Sequence, residues 1–406
     1  MKKIIVGLCV LTILLTPVFS QGAKETDSGK VVLTMGSWRT DDVTQMNALL
    51  KEYSKVVPNV EIQFKPTNPP DYNATLRLQL DSNTGPDLLY ARSYDTGKEL
   101  FKGGYIADVT EIPGLMENFT AANLAPWQTE DGRMFAVPFA AVSHMVYYNK
   151  DVFKKEGLSI PSTWEDFLAL NKTLKTRGYT ALANGVADEW DILETFFFGL
   201  VPNYIGGSKG RVAYETGLRK FNDPEMVAAF TAMKDVAQYL PKGFESVTYN
   251  DSQILFNTQK AVMFVDGSWT LGVYKDATFD WGVFAIPAPK GKATAICFHP
   301  DMAITMNTAT KHAKEAKAFL TWIASIEGAT AASKALPVGF FPMINYPIAL
   351  AHPQANETLA LNEGKMTDAR FVWPKMMDLY APMNQAVIKT MKGEITPMQA
   401  ATSLVR

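Results

Sequence analysis

From Val31 onward, apolar and polar positions recur with the two periods expected of alternating strands and helices. Val31 to Met35 reads as a buried strand, and Gly36-Ser37-Trp38-Arg39 as the loop leaving it. Val43, Met46, Leu50, Tyr53 and Val57 then recur at three- and four-residue spacing, which predicts a helix from about Asp41. Pro58-Asn59 ends it, and Val60, Ile62 and Phe64 alternate as a second strand. Strand, helix and strand in so short a span form a βαβ unit, so the sheet is expected to be parallel. A helix over about 71–82 and a strand at Asp87 to Tyr90 continue the rhythm. A second α/β series starts near Val146-Tyr147-Tyr148. Within it, Ser162 and Glu165 predict a capping box, and Asp223 with Pro224 a helix start. Ala261–Val265 and Trp281–Ile286 read as strands. A helix is predicted over 311–327, with Ala316, Phe319, Leu320 and Ile323 on one face and Gly328 just past its end. No internal period of 20–50 residues points to a repeat architecture.

The first residues change the picture of where this fold works. Lys2 and Lys3 precede an apolar run from Ile4 to Leu15, Pro17 breaks it, and Val18-Phe19-Ser20 offers small residues for cleavage after Ser20. This is the layout of a secretory signal peptide, and the run falls short of the ~20 residues that span a bilayer. Cys9 lies inside the run rather than at the cleavage point, which argues against lipidation. Cleavage removes two lysines and no acid, leaving a mildly acidic chain with no basic excess for nucleic acid or an anionic membrane. Cys297 is then the only cysteine, so no intrachain disulfide can form. The remaining length exceeds one ordinary core and predicts two domains.

Open α/β sheets bind ligands at the C-terminal ends of their strands. Here those ends carry Trp38-Arg39, Arg92-Ser93-Tyr94-Asp95 and Asp266-Gly267-Ser268-Trp269, each pairing an aromatic ring with a charged group. Rings of this kind cover the C–H faces of a sugar while keeping a polar edge, and charged side chains make the stronger hydrogen bonds to its hydroxyls.

Longer stretches carry a family resemblance. Asp131-Gly132-Arg133-Met134-Phe135-Ala136-Val137-Pro138 is followed by Met145-Val146-Tyr147-Tyr148-Asn149-Lys150-Asp151-Val152-Phe153 and by Pro161-Ser162-Thr163-Trp164-Glu165-Asp166-Phe167. Phe256 to Met263 with Asp266-Gly267-Ser268-Trp269, then Ile286-Pro287-Ala288-Pro289-Lys290-Gly291, then Lys314 to Leu320 follow in order. With these blocks the chain resembles the extracellular solute-binding proteins of the maltose-binding type, the captors of sugar ABC importers. The resemblance implies a two-lobed α/β periplasmic-binding-protein fold (type II, Venus-flytrap) with three interlobe crossings, placed near 138–143, 288–298 and 334–339. The N-terminal lobe would comprise 31–138 and 299–334, the C-terminal lobe 139–298 and 335–406. It also implies a monomer that binds a small molecule, partners with membrane permease subunits, and carries out no catalysis with neither cofactor nor metal. Two departures stand out. Ala141-Val142-Ser143-His144 occupies a crossing where some relatives carry an acid, and Ala91 stands where some place a tryptophan.

The candidate ligand contacts divide by origin. From the strand ends come Trp38, Arg39, Tyr94, Asp95, Asp266, Gly267 and Trp269; packing under the loop for Trp38 and helix capping for Asp95 are the plain alternatives. Gly267 is assigned the sharp turn before a ring that the resemblance makes a stacking platform. By resemblance come Glu189 and Trp190, Phe340 after the third crossing, and Arg370 with Trp373. His299 and Asp301 are read as hinge hydrogen-bonding groups, and Asp87 as stabilising its turn. Arg39 and Arg92 leave open a phosphorylated or carboxylated solute. Enzyme readings are weaker. Gly206-Gly207-Ser208-Lys209-Gly210 matches a nucleophile-elbow pattern but lacks a preceding strand and reads as a flexible loop. The histidines His144, His299, His312 and His352 are too dispersed for a metal signature, and nothing nominates the carboxylate pair of a glycosidase.

Overall fold

The computed structural model describes residues 29–274, 277–348, 350 and 352–405; the predicted signal peptide lies outside them. The expected βαβ opening is present: β1 (Val31–Ser37) pairs in parallel with β2 (Val60–Pro66) and with β3 (Leu88–Ala91). The intervening helix, Val43–Val56, buries Met46, Leu49, Leu50 and Tyr53 against them, while Val43, predicted on that face, stays exposed at the first turn. Seven more strands complete the sheet system: β4 (Val137–Asn149), β5 (Thr180–Leu182), β6 (Ala261–Gly267), β7 (Trp281–Phe284), β8 (Ala295–Met306), β9 (Phe341–Pro342) and β10 (Met366–Asp368). The order is β2-β1-β3-β8-β4-β6-β5, with β7 and β9 also on β4 and β10 on β8. β3, β4 and β8 pair antiparallel, so the sheet is mixed rather than purely parallel.

Buried side chains separate into two large clusters. One draws on 33–142 and 302–344. The other draws on 146–286 and 371–404, and a smaller third, around Tyr147, Phe256, Tyr274 and Trp281, extends the same side. Each of the two halves is therefore assembled from separate stretches of chain, as in a two-lobed fold. β4 and β8 are long enough to serve both clusters. They pair from Val137↔Ile304 to Ser143↔Phe298, with register shifts at Pro138/Ala140 and Ala140/Ala141 that bend β4 as it crosses. β9 returns the chain beside Ala140 and Ala141.

Three local expectations need correction. The helix Trp164–Thr176 is capped by Thr163 and Asp166, one residue later than predicted: Thr163 Oγ1 accepts from the Asp166 N–H, and Asp166 Oδ2 accepts from the Thr163 N–H, both at 3.1 Å. The predicted 311–327 helix is two, Ala313–Ile323 and Ile326–Ala335, because Ser325 caps the second by accepting from Gly328 N–H at 3.1 Å. Gly328 is thus inside a helix; a Cβ there would sit 1.9 Å from the Trp322 carbonyl oxygen, so close approach is its reason. Finally, 206–210 is no loose loop: Gly206, at φ 87°, ends the helix Phe198–Ile205, and the helix Gly207–Glu215 follows at once. Because a helix precedes Ser208, it lacks the strand-to-helix turn that exposes a nucleophile.

Candidate functional site

β6 delivers the first half of the site. Its final residues, Asp266 and Gly267, are fully buried, and a 3-10 turn, Ser268–Tyr274, begins immediately after. The Trp269 ring folds back over Gly267, where a Cβ would lie 2.0 Å from the indole; only glycine lets the ring take this place. Trp269 Nε1 donates to Tyr249 Oη at 2.6 Å, and Tyr249 Oη donates to Asp266 Oδ2 at 2.9 Å. Thr270 Oγ1 donates to the same carboxylate oxygen at 2.9 Å. Burial outweighs these bonds and pushes the Asp266 carboxyl up to about 7. Its other oxygen, Oδ1, is buried without a partner.

A hub forms around Arg370, which follows β10. Its guanidinium donates to Glu194 at 2.7 Å and lies 4.0 Å from Asp301. It also sits over two indoles, 4.4 Å from the Trp373 centroid and 5.3 Å from that of Trp269. Glu194 belongs to a π-helical stretch, Ile192–Phe197, a form often found at functional sites; it also accepts a short hydrogen bond from Tyr380 Oη. Asp191, just before, is fully buried; burial and the neighbouring Asp266 push its carboxyl well up. Edge-on contacts tie the crossing strands into the same cluster: His144 of β4 against Trp269 at 5.4 Å and His299 of β8 against Trp373 at 5.7 Å.

The N-terminal lobe contributes a different surface. Trp38 is buried edge-on to Tyr72 and Tyr90, with centroids 5.6 and 5.5 Å apart, and Arg92 lies 3.7 Å over its ring. Arg39 pairs with Asp42 through bonds of 2.7 and 2.8 Å and covers Phe340 at 4.8 Å. Tyr94, at φ 59° and ψ −136°, holds a backbone conformation that non-glycine residues rarely adopt, and its ring packs against the C-terminal cluster.

Of the residues nominated from sequence, the structure brings Asp266, Gly267, Trp269, Arg370 and Trp373 into one cluster. Trp38 takes the packed position that was its alternative, although Trp269 leans on the same N-terminal cluster. Phe340 is N-terminal-lobe core beneath Arg39. Asp95 does not cap its helix, since Tyr94 holds the N-cap position; its carboxylate is half-exposed, 4.0 Å from Lys98. Trp190 is exposed beside Tyr249, with centroids 4.6 Å apart; the Glu189 side chain lies outside the described part of the molecule. Sequence reasoning missed Tyr249 and Glu194 altogether, since neither stands at a strand end. It gave His299 and Asp301 a hinge role, saw His144 as part of a departure, and weighed both histidines otherwise only as members of a set too dispersed for a metal. A signal for His144 existed: Ser143 and His144 are the polar pair within an apolar crossing strand. Asp87 behaves as expected, accepting from Thr34 N–H and Thr310 Oγ1 at 2.8 and 2.6 Å. An open groove of about 550 Å³ bordered by Phe101, Asp108, Glu130 and Arg133 lies elsewhere on the N-terminal lobe and shares none of the cluster's residues.

Comparison with known proteins gives the family and the fold. The chain is 26% identical over 390 residues to a multiple sugar-binding protein of Streptococcus mutans, covering 92% of this chain and 89% of that one. Among solved structures, the bacterial solute receptor AcbH, described as exclusively preferring β-D-galactopyranose, superposes with a TM-score of 0.82 at 19% identity over 92% of this chain and 97% of its own. RafE in complex with raffinose does so with a TM-score of 0.76 at 21% identity, over 92% and 98%. The profile described as bacterial extracellular solute-binding protein matches residues 36–330, and the chain belongs to that family.

Proposed function

We propose that this exported protein captures a sugar between its two lobes by hinge closure and delivers it to the permease of an ABC importer. The reading rests on one observation: indoles and hydrogen-bonding groups gather at the crossing strands, with Trp269, Trp373 and Arg370 beside His144 of β4 and His299 of β8. Aromatic faces and charged hydrogen-bonding groups are what a hydroxyl-rich ring requires. Closure follows if ligand contacts from both lobes favour the closed state, which the permease then distinguishes from the open one. The proposed lobes are 31–138 with 299–334 and 139–298 with 335–406, and the proposed cleavage is after Ser20. The ligand leaves unchanged.

An anionic solute is disfavoured at Arg39, which pairs with Asp42, and at Arg370, which pairs with Glu194; Arg92, which lies over Trp38 with the charges of Asp301 and Glu194 acting on it, is the arginine that keeps the anionic alternative open. A thermal-shift screen over mono- and oligosaccharides, phosphorylated sugars and sugar acids tests the proposal. Neutral sugars should raise the melting temperature and be recovered intact. New reducing ends would turn the reading to an enzyme, and stabilisation only by the charged solutes would turn it to another cargo.

A further inference from the structure

His144 and His299 stand on the two long strands that cross between the lobes, with ring centroids 5.7 Å apart. Both are almost completely buried. In each ring Nδ1 faces a carbonyl oxygen: Thr195 O at 3.2 Å from His144 and Pro300 O at 3.0 Å from His299. A carbonyl oxygen cannot donate, so the proton belongs on Nδ1 in both rings.

The charged groups around the pair keep a second proton away. Burial, then Arg370, holds His144 down to about 3. Burial, Arg370, His144 and Arg92 hold His299 well below its ordinary range. Glu194 and Asp301 are engaged with Arg370 itself. A neutral imidazole protonated at Nδ1 presents a bare lone pair at Nε2. In both rings that atom is buried and finds no hydrogen-bond partner among the described residues. Asp266 Oδ1 and Asp191 Oδ2 are buried in the same cluster without a hydrogen-bond partner among the described residues, but burial keeps both carboxyls protonated, so these oxygens are not counted with the bare imidazole nitrogens. Buried acceptors are ordinarily satisfied, so two bare imidazole nitrogens on rings 5.7 Å apart at the crossing strands call for a donor from outside the chain.

We infer that His144 and His299 form a paired acceptor site at the crossing strands that takes hydrogen bonds from hydroxyl groups of the captured sugar, and that the part of the ligand seated there carries neither carboxylate nor phosphate. This rests on the sugar-capture reading and narrows it. Each imidazole contacts an indole, so a sugar seated against Trp269 or Trp373 would lie next to an imidazole. At the two Nε2 atoms an acceptor-only group such as a phosphate would meet a lone pair instead, while the unpartnered N–H groups of Arg370 Nε and Trp373 Nε1 can donate to a sugar oxygen.

Calorimetric titration of the full-length mature protein with D-galactose, D-glucose, raffinose and stachyose, and with galacturonate and galactose 6-phosphate, supplies the test. Long-range ¹⁵N–¹H spectra should show both imidazoles protonated at Nδ1 alone, before and after a sugar is added. His144→Phe and His299→Phe should each weaken the best neutral sugar by about tenfold or more while leaving the ligand-free melting temperature unchanged or raised. His144→Gln and His299→Gln, which restore an acceptor, should recover most of that loss. Replacing the contacted hydroxyl of the sugar by fluorine should weaken the wild type similarly and the matching Phe variant hardly at all. Neutral-sugar binding that both Phe variants retain within about threefold, or a proton on Nε2 in either ring, overturns the histidine assignment alone. Failure of every neutral sugar to bind the wild type overturns the capture reading and this assignment with it.

Discussion

The two faces that meet at the crossing strands are built to different degrees of completion. Around Trp38, polar groups are already satisfied: Tyr72 Oη donates to the Tyr90 carbonyl at 2.8 Å, Tyr90 Oη to Met46 sulfur at 3.0 Å, and Arg39 holds Asp42. Around Trp269 they are not. Asp266 Oδ1, Asp191 Oδ2, Arg370 Nε, Trp373 Nε1 and both histidine Nε2 atoms are buried without hydrogen-bond partners among the described residues. The N-terminal face holds its rings in its own core and leaves Ser93 Oγ unpartnered, whereas the cluster around Trp269, with His299 contributed by β8, leaves several hydrogen bonds to be completed by something else. Stability and recognition should therefore respond differently to mutation on the two sides.

The largest effect is expected at the hub. Arg370→Met leaves Glu194 and Asp301 buried without their cation, which should cost about 3–5 kcal/mol of unfolding free energy in denaturant titration and remove sugar binding with it. A comparable loss of stability after Trp38→Ala, about 3–5 kcal/mol from the cavity left against Tyr72 and Tyr90, should set the N-terminal face apart. Trp269→Ala should do the reverse, weakening sugar binding by about 2–3 kcal/mol, a loss of roughly a hundredfold, with a smaller change in the ligand-free melting temperature. Equal effects of the two tryptophans on both measurements would erase the distinction.

The next effect is pH-linked. Asp266 holds its proton in the fold up to about pH 7, whereas an unfolded aspartate releases it near 4. The folded state thus binds more protons across that window, so this residue's contribution favours folding at low pH and is lost as pH rises from about 4 to about 7. Asp266→Asn should flatten that decline when unfolding is followed at several pH values; an unchanged slope would mean that the carboxyl ionises normally. Smallest of all, Asp95→Asn should leave the sugar dissociation constant within about twofold, since its carboxylate lies half-exposed beside Lys98. A larger loss would return Asp95 to the site.

The legible parts of the site are those that local chain geometry announces. Gly267 before Trp269 at the end of an apolar strand signals a turn with a ring above it, and both residues take those places. Trp38 carried the same local signal at β1, yet it is packed within its lobe under Arg92. A loop indole looks alike from sequence whether it faces a cleft or a core, because the neighbours that bury it, Tyr72 and Tyr90, come from other elements. Glu194 and Tyr249 were invisible for a related reason. One lies in a π-helical stretch beside an apolar phenylalanine run and the other opens a surface helix, and only Arg370, Asp266 and Trp269 give them their roles.

The chain's own pattern determined the βαβ opening, the strands that lead into Trp38 and into Gly267, and the family blocks that imply two lobes. These are readable because period, capping and turn residues act within a few positions of one another. Tertiary structure alone decided which side chains are left unsatisfied at the crossing, which arginines already have carboxylate partners, and which nitrogen of each histidine is bare. Those properties depend on carbonyls and charges brought together from distant segments, and no spacing along the chain encodes such meetings.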